Sequence, residues 1–291
     1  MWRLALLIVC SGVSGIASSG TAERIVSTSP SITETLFALG LGDRVVAVSR
    51  YCRYPAEAAK LPRIGNFLEP DAEMIARLRP DLVFVHPESG GTRRKLATLQ
   101  IPVVTVDRGT TLAGVFSSIR TIAGGAGVPE RGGTLVSTLE QHLARVRATV
   151  AGRAHRKVLL IVGRRAGTLT DLVAVGARSY LSDLATIAGG VNVLGDAWLP
   201  EYPRISLETV IRLAPDVIVD AGDMGDTPED RRSRQARTEA LWKRQPLVAA
   251  SNGSVHAVIS DAFVVPGPRV VEVAETFARW FHQVGPADAA H

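Results

Sequence analysis

Glu73 and Glu208 occupy matching places in a repeated pattern. The stretch Asp71-Ala-Glu73-Met-Ile-Ala-Arg77-Leu78-Arg-Pro80-Asp81-Leu-Val-Phe-Val aligns with Ser206-Leu-Glu208-Thr-Val-Ile-Arg212-Leu213-Ala-Pro215-Asp216-Val-Ile-Val-Asp at a constant offset of 135 residues. Each glutamate is expected in the first turn of a short helix, where a carboxylate favours the helix dipole by roughly 0.3–1 kcal/mol.

Other chemistry is thinly supplied. A metal-ion carrier needs three or four His, Asp or Glu side chains converging on one point. Of the six histidines, only His86, directly after an apolar strand, and His256 stand near expected strand ends. A zinc or manganese carrier is the alternative that His86 would anchor. The chain has no Gly-x-Ser-x-Gly nucleophile elbow and no phosphate-cradling Gly-x-x-x-x-Gly-Lys-Ser/Thr. Gly40-Leu-Gly42 and Gly124-Gly-Ala-Gly127 end helices rather than open one after the first strand. An exported α/β enzyme is a further alternative, but no catalytic residue, resident metal or cofactor is expected.

The elements that position these residues alternate strand and helix. Each copy of the repeat reads as a short helix, a Pro-Asp turn and a buried strand of four apolar residues. Arg24-Ile-Val-Ser-Thr and Lys157-Val-Leu-Leu-Ile-Val are first strands, followed by helices over 31–39 and 179–188 that stop at glycine. Pro102-Val-Val-Thr-Val and Ser254-Val-His-Ala-Val-Ile are later strands, with helices over 112–123 and 268–281 after them. Short apolar strands between amphipathic helices imply parallel sheets covered on both faces.

The expected fold is therefore α/β, with two Rossmann-like lobes, 23–128 and 153–291, joined by one long bridging helix over 129–152. Leu135, Leu139, Leu143, Val146 and Val150 recur there at helical spacing, while Glu140, Gln141, Arg145 and Arg147 face elsewhere. At 1.5 Å per residue that helix spans roughly 36 Å. It would hold two lobes stiffly, with small closing motions.

Residues 1–22 read as an export signal. Arg3 supplies a positive charge, Leu4 to Cys10 a short apolar core, and small residues lead to a cut near Ala22. The run is shorter than the ~18–20 residues that cross a bilayer. Cys10 offers the alternative of a lipid anchor, against which the bulky Val9 stands. Cleavage near Ala22 leaves Cys52 as a lone thiol with no internal disulfide. The net charge of +5 is mild, and no basic stripe with interleaved aromatics marks a nucleic-acid surface.

Several stretches, taken in order and spacing, carry a family resemblance. They are Ile25-Val-Ser-Thr-Ser-Pro30-Ser-Ile-Thr-Glu34, Gly40-Leu-Gly-Asp-Arg-Val-Val-Ala-Val-Ser49, Tyr51-Cys-Arg-Tyr-Pro55, Leu78-Arg-Pro80-Asp81-Leu-Val and Pro266-Gly-Pro-Arg269. The chain resembles the periplasmic binding proteins that feed cobalamin, ferric siderophores and haem to ABC importers, over essentially its whole mature length. The resemblance implies an exported, monomeric binding protein that holds cobalamin or a ferric chelate between its lobes and delivers it to a permease dimer. It makes Glu73 and Glu208 the docking carboxylates, one for each permease subunit.

The same resemblance puts Tyr51, Phe67 and Tyr202 where cobalamin binders stack aromatic rings, with His86 where some relatives have a cleft tryptophan. Phe67 and Tyr202 also keep the 135-residue offset and are expected to face each other. Trp198 is a further aromatic candidate, and Asp261 and Phe263 fall at the expected cleft rim. Aromatic rings suit a flat, partly apolar macrocycle because they bury much area with little entropy lost. One departure weakens cobalamin: Val264-Val265 stands where such binders carry an arginine. Arg53, Arg93 and Arg94 are the cations that would instead hold an anionic ferric chelate.

Overall fold

The first strand of each half starts where an aspartate of the repeat reaches it. In the computed structural model, which describes residues 22–223 and 231–282, Asp81 accepts backbone N–H bonds from Glu23 and Arg24 at 2.8–3.1 Å. Asp216 accepts one from Lys157 at 2.8 Å. The residues before the two prolines, Arg79 and Ala214, share a left-handed backbone, with φ of 48° and 44°. The sequence repeat is thus also a repeat of backbone conformation. The expected export segment with Cys10 lies, apart from Ala22, outside the described residues.

The N-terminal half runs β1 (Ile25–Ser27), α1 (Pro30–Ala38), β2 (Val45–Val48), α2 (Ala72–Arg77), β3 (Leu82–Val85), α3 (Gly90–Thr98), β4 (Val103–Thr105), α4 (Leu112–Gly125) and α5 (Pro129–Thr149). The C-terminal half continues with β5 (Arg156–Gly163), β6 (Leu172–Ala174), α6 (Tyr180–Ile187), β7 (Gly190–Asn192), β8 (Arg204–Ile205), α7 (Leu207–Leu213), β9 (Val217–Asp220), α8 (Arg231–Lys243), α9 (Val248–Ser251), β10 (Val255–Ala257) and α10 (Val270–His282).

The first sheet has the order β2-β1-β3-β4 and is parallel throughout. Its central strands β1 and β3 are buried along their whole length, as helices on both faces require. The second sheet has the order β10-β9-β5-β6-β8, with β7 also on β5. Here β10, β9, β5 and β7 are parallel, while β6 runs against them and pairs antiparallel with both β5 and β8. The second sheet is therefore mixed at one side. The link from Gly163 to Leu172 is too short for a parallel crossover, which takes a dozen or more residues.

Helix α5 lies at the junction of the halves. Val136, Leu139, Leu143 and Val146 are buried in the core shared with α6 and α10. Leu135 touches that core and also the N-terminal core around Ile25, Leu36 and Phe84. Gly132 permits close approach to α4, since a Cβ there would collide with the Ala123 methyl. The helix has 21 residues, roughly 32 Å, and stops short of Gly152, whose φ is 75°. Helix α4 shares the junction: Val115, Phe116 and Ile119 enter the C-terminal core, and Leu112 donates its N–H to Asp183 at 2.9 Å.

Candidate functional site

Neighbouring parallel strands end side by side, so the residues that follow them meet. After β1 comes Ser29, the extended residue before α1, with Pro30 at the first helical position. After β3 comes His86. Its Nε2 lies 2.8 Å from Ser29 Oγ and its Nδ1 lies 2.8 Å from the Val106 carbonyl. The carbonyl can only accept, so Nδ1 carries the hydrogen and Nε2 accepts the Ser29 hydroxyl. Burial lowers the His86 pKa below its ordinary value. His86 is thus a neutral wall residue with both ring nitrogens engaged.

A cavity of about 340 Å³ opens beside it, lined on the N-terminal side by Tyr51, Arg53, Phe67 and Arg108 and on the C-terminal side by Asp261 and Val264 to Pro266. This volume falls at the lower end of the ~300–1,000 Å³ range of small-molecule sites. Tyr51 and Phe67 meet edge to face at 5.9 Å. Arg50 donates to the Tyr51 hydroxyl at 2.7 Å. Arg108 pairs loosely with Glu88 at 3.6 Å, both half exposed, so that pair contributes little.

Four of the seven expected ligand residues, Tyr51, Phe67, His86 and Asp261, therefore share one cavity. Phe263 does not line it. The 3-10 turn Asp261–Phe263 sends consecutive side chains in different directions. Asp261 lines the cavity, whereas the Phe263 ring packs on Phe277 and Trp280 at 5.6 and 5.8 Å. Tyr202 is half buried against the C-terminal core, and burial pushes its phenol up to about 12. Its expected partner Phe67 pairs with Tyr51 of its own lobe instead. Trp198, 93% exposed, stands on the loop before β8 and lines no described cavity. Arg93 and Arg94 lie on the exposed face of α3, away from this lining.

Sequence reasoning missed Ser29, Ser31 and Arg108 in the wall. Arg108 follows the end of β4, and the tendency of ligands to sit at the carboxyl ends of parallel strands was the available signal. It also missed a buried ionic chain between the lobes. Arg269, just before α10, donates to both Glu34 carboxylate oxygens at 2.8 and 2.5 Å, and to Asp261 at 2.9 Å. The Tyr54 ring covers its guanidinium at 4.3 Å. Burial pushes the Glu34 pKa up to about 6 although Arg269 pulls it back, and Arg269 is itself held more firmly protonated.

Glu73 and Glu208 are both exposed in first helical turns. Asp71 caps α2 by accepting from the Glu73 and Met74 N–H groups at 3.0 Å. Ser206 caps α7 through the Thr209 N–H at 3.3 Å. The Ser206 hydroxyl holds the Glu208 carboxyl below its ordinary value. Among the described residues no group of three or more His, Cys, Asp or Glu side chains is arranged to hold a metal ion. Nor is any helix among them long and apolar enough to cross a membrane.

Comparison with known proteins follows the same lines. The family model described as periplasmic binding protein matches residues 25–262. The vitamin B12-binding protein of Vibrio cholerae (strain ATCC 39541) is 29% identical over 262 residues, 89% of each chain. That of Yersinia pestis (strain Pestoides F) is 30% identical over 257 residues, 87% of this chain and 84% of the relative. Among solved structures, the periplasmic haem-binding protein RhuT from Roseiflexus sp. RS-1 superposes with a TM-score of 0.75 at 26% identity, covering 90% of this chain and 98% of that one. The periplasmic vitamin B12-binding protein BtuF of Vibrio cholerae gives 0.69 at 27% identity, covering 90% and 97%.

Proposed function

Since the chain belongs to the periplasmic binding protein family, a family of binding proteins rather than enzymes, we propose that it is the substrate-binding component of an ABC importer. In this reading residues 23–128 and 153–291 are the lobes, and 129–152 bridges them. The cleft holds cobalamin or an iron chelate such as haem. The chain is exported, works as a monomer in the periplasm, and docks on a permease dimer through Glu73 and Glu208.

The observation that carries the reading is the cavity between the lobes. Tyr51 and Phe67 present ring faces and edges for a flat ligand. Arg53 and Arg108 supply positive charge on the same wall, suited to peripheral carboxylates or amide carbonyls. His86 contributes a satisfied, neutral surface. The named ligands of the relatives, vitamin B12 and haem, are macrocycles of this description. The exposed glutamates on two equivalent capped helices support docking to a two-fold partner.

The test is a fluorescence-quenching titration of the mature protein with cyanocobalamin, a panel of ferric siderophores and haem. Saturable one-to-one binding by one class is the expected result and names the cargo. Absence of binding by all of them would overturn this ligand assignment. Replacing both glutamates with arginine should abolish association with the permease and leave ligand affinity unchanged.

A further inference from the structure

Arg269 is a branch point at the junction of the lobes. Its guanidinium spends Nε and Nη2 on Glu34 of α1 and Nη1 on Asp261. Glu34 belongs to the N-terminal lobe and is 235 residues away. Asp261 belongs to the C-terminal lobe and lines the ligand cavity. The fork geometry of arginine is what allows one side chain to serve both carboxylates at once. Tyr54, from the N-terminal lobe, covers the guanidinium face. Side-chain exposure grades from 2% at Glu34 and 9% at Arg269 to 31% at Asp261. The chain of charges therefore starts at the buried carboxylate of the lobe junction and ends at the wall of the cavity.

We propose that Arg269 is a positioning residue of the ligand cleft: anchored across the lobe boundary by Glu34, it fixes the Asp261 carboxylate at the cavity wall, so that ligand contact there is tied to the junction between the lobes. This rests on the reading of the cavity as the ligand cleft. Asp261 then accepts from a hydrogen-bond donor on the ligand edge, such as a carboxamide N–H or a hydroxyl. Arg53 and Arg108, on the opposite lobe, take the acceptor edge. A ligand with both kinds of edge is oriented by this polarity.

The junction also carries a titratable group. Besides Arg269, Glu34 feels Asp261 and Glu272 from the C-terminal lobe, and Tyr180 of α6 senses its charge. Asp43 and Glu57 share with it a second cavity of about 600 Å³ behind the ion pair. With its carboxyl pushed up to about 6, Glu34 gains a proton in mildly acidic solution and the ion pair to Arg269 is lost.

The experiment compares wild type with Glu34→Gln, an isosteric change, and with Arg269→Lys, which keeps the charge but loses the fork. Amide hydrogen exchange of the ligand-free mature chain is read at residues 261–265, in the lobe opposite the Glu34 substitution. A rise of about tenfold there in either variant is expected. Unchanged exchange at 261–265, with any effect confined to α1, would overturn the proposal. Ligand binding is then titrated with cyanocobalamin and with haem across pH 5 to 7.5. Wild-type affinity should fall through a step near pH 6, and Glu34→Gln should lack that step; a step surviving in Glu34→Gln would also overturn it. Should Arg269→Lys fail to fold, Glu34→Gln decides alone. Should neither probe bind wild type, the ligand assignment fails while the exchange measurement still decides the positioning role.

Discussion

β3 and β9 occupy the same place in the two copies of the repeat, with Val85 aligned to Asp220. Both are buried along their whole length, and both follow the same left-handed residue and Pro-Asp turn. They end differently. β3 runs into His86, a neutral group at the wall of the cavity between the lobes. β9 ends in Asp220, whose carboxylate accepts from Trp242 Nε1 at 2.7 Å and pairs with Arg164 at 2.9 Å, both charged side chains fully buried. One strand end opens on a cavity; the other is sealed by its own charges. The cleft is therefore lopsided. The N-terminal lobe supplies its aromatic and cationic wall, and the C-terminal lobe supplies one loop, Asp261 to Pro266.

The largest expected effect tests that contrast directly. Asp220→Ala leaves Arg164 buried without its main partner and Trp242 without an acceptor, at a cost of about 3–5 kcal/mol in urea unfolding. His86→Ala leaves the Val106 carbonyl without its side-chain donor, while the Ser29 hydroxyl keeps Ser31 as a partner, at a cost of about 1–3 kcal/mol. A greater loss from His86→Ala than from Asp220→Ala would break the comparison.

The aspartates at the starts of the two sheets should rank in the same measurement. Asp81 takes N–H bonds from two residues and Asp216 from one. Asp81→Ala is expected to cost about 1.5–3 kcal/mol and Asp216→Ala about half as much. Equal costs would mean that the second N–H contributes nothing.

The asymmetry of the cleft predicts a smaller split in binding. Phe67→Ala removes a ring from the cavity wall and should weaken binding of the titrated ligand about tenfold, or ~1.4 kcal/mol. Tyr202→Phe removes a hydroxyl beside Ser179 and should change affinity less than about twofold. The reverse order would move the stacking surface to the C-terminal lobe.

The smallest effect is a pH slope. His86 has its pKa lowered in the fold from the ordinary 6.5, so below about pH 6.5 the unfolded chain binds the proton first and stability falls with acid. Glu34, raised from 4.5 to about 6, acts in the opposite sense between those values, because there the folded state binds the extra proton. His86→Gln should therefore show a shallower loss of unfolding free energy from pH 7 to 6 than wild type. An identical slope would mean that the imidazole of His86 titrates alike in the folded and unfolded chains.

Much of the architecture was legible because it is written locally. The repeat at an offset of 135, the glycine stops and the apolar spacing of α5 each need only a window of sequence. The mixed edge of the second sheet was not legible, since Leu172–Ala174 reads the same whichever way it pairs. Among the site residues, Tyr51, Phe67 and His86 were named from the family resemblance and Asp261 from its place after the last strand, and the four share one cavity. Phe263 was named with them, but one residue of turn separates a cavity wall from a core.

By itself, then, the sequence determined two α/β halves, their capped helices and the long helix at their junction, because periodicity and turn chemistry act over a few residues. Only the tertiary structure decided which side chains meet. Glu34 and Arg269 were both present in the stretches that carry the resemblance, yet nothing in either stretch tells that they pair. Their pairing depends on how α1 and the loop before α10 pack across the lobe boundary, and that packing is the sum of many long-range contacts.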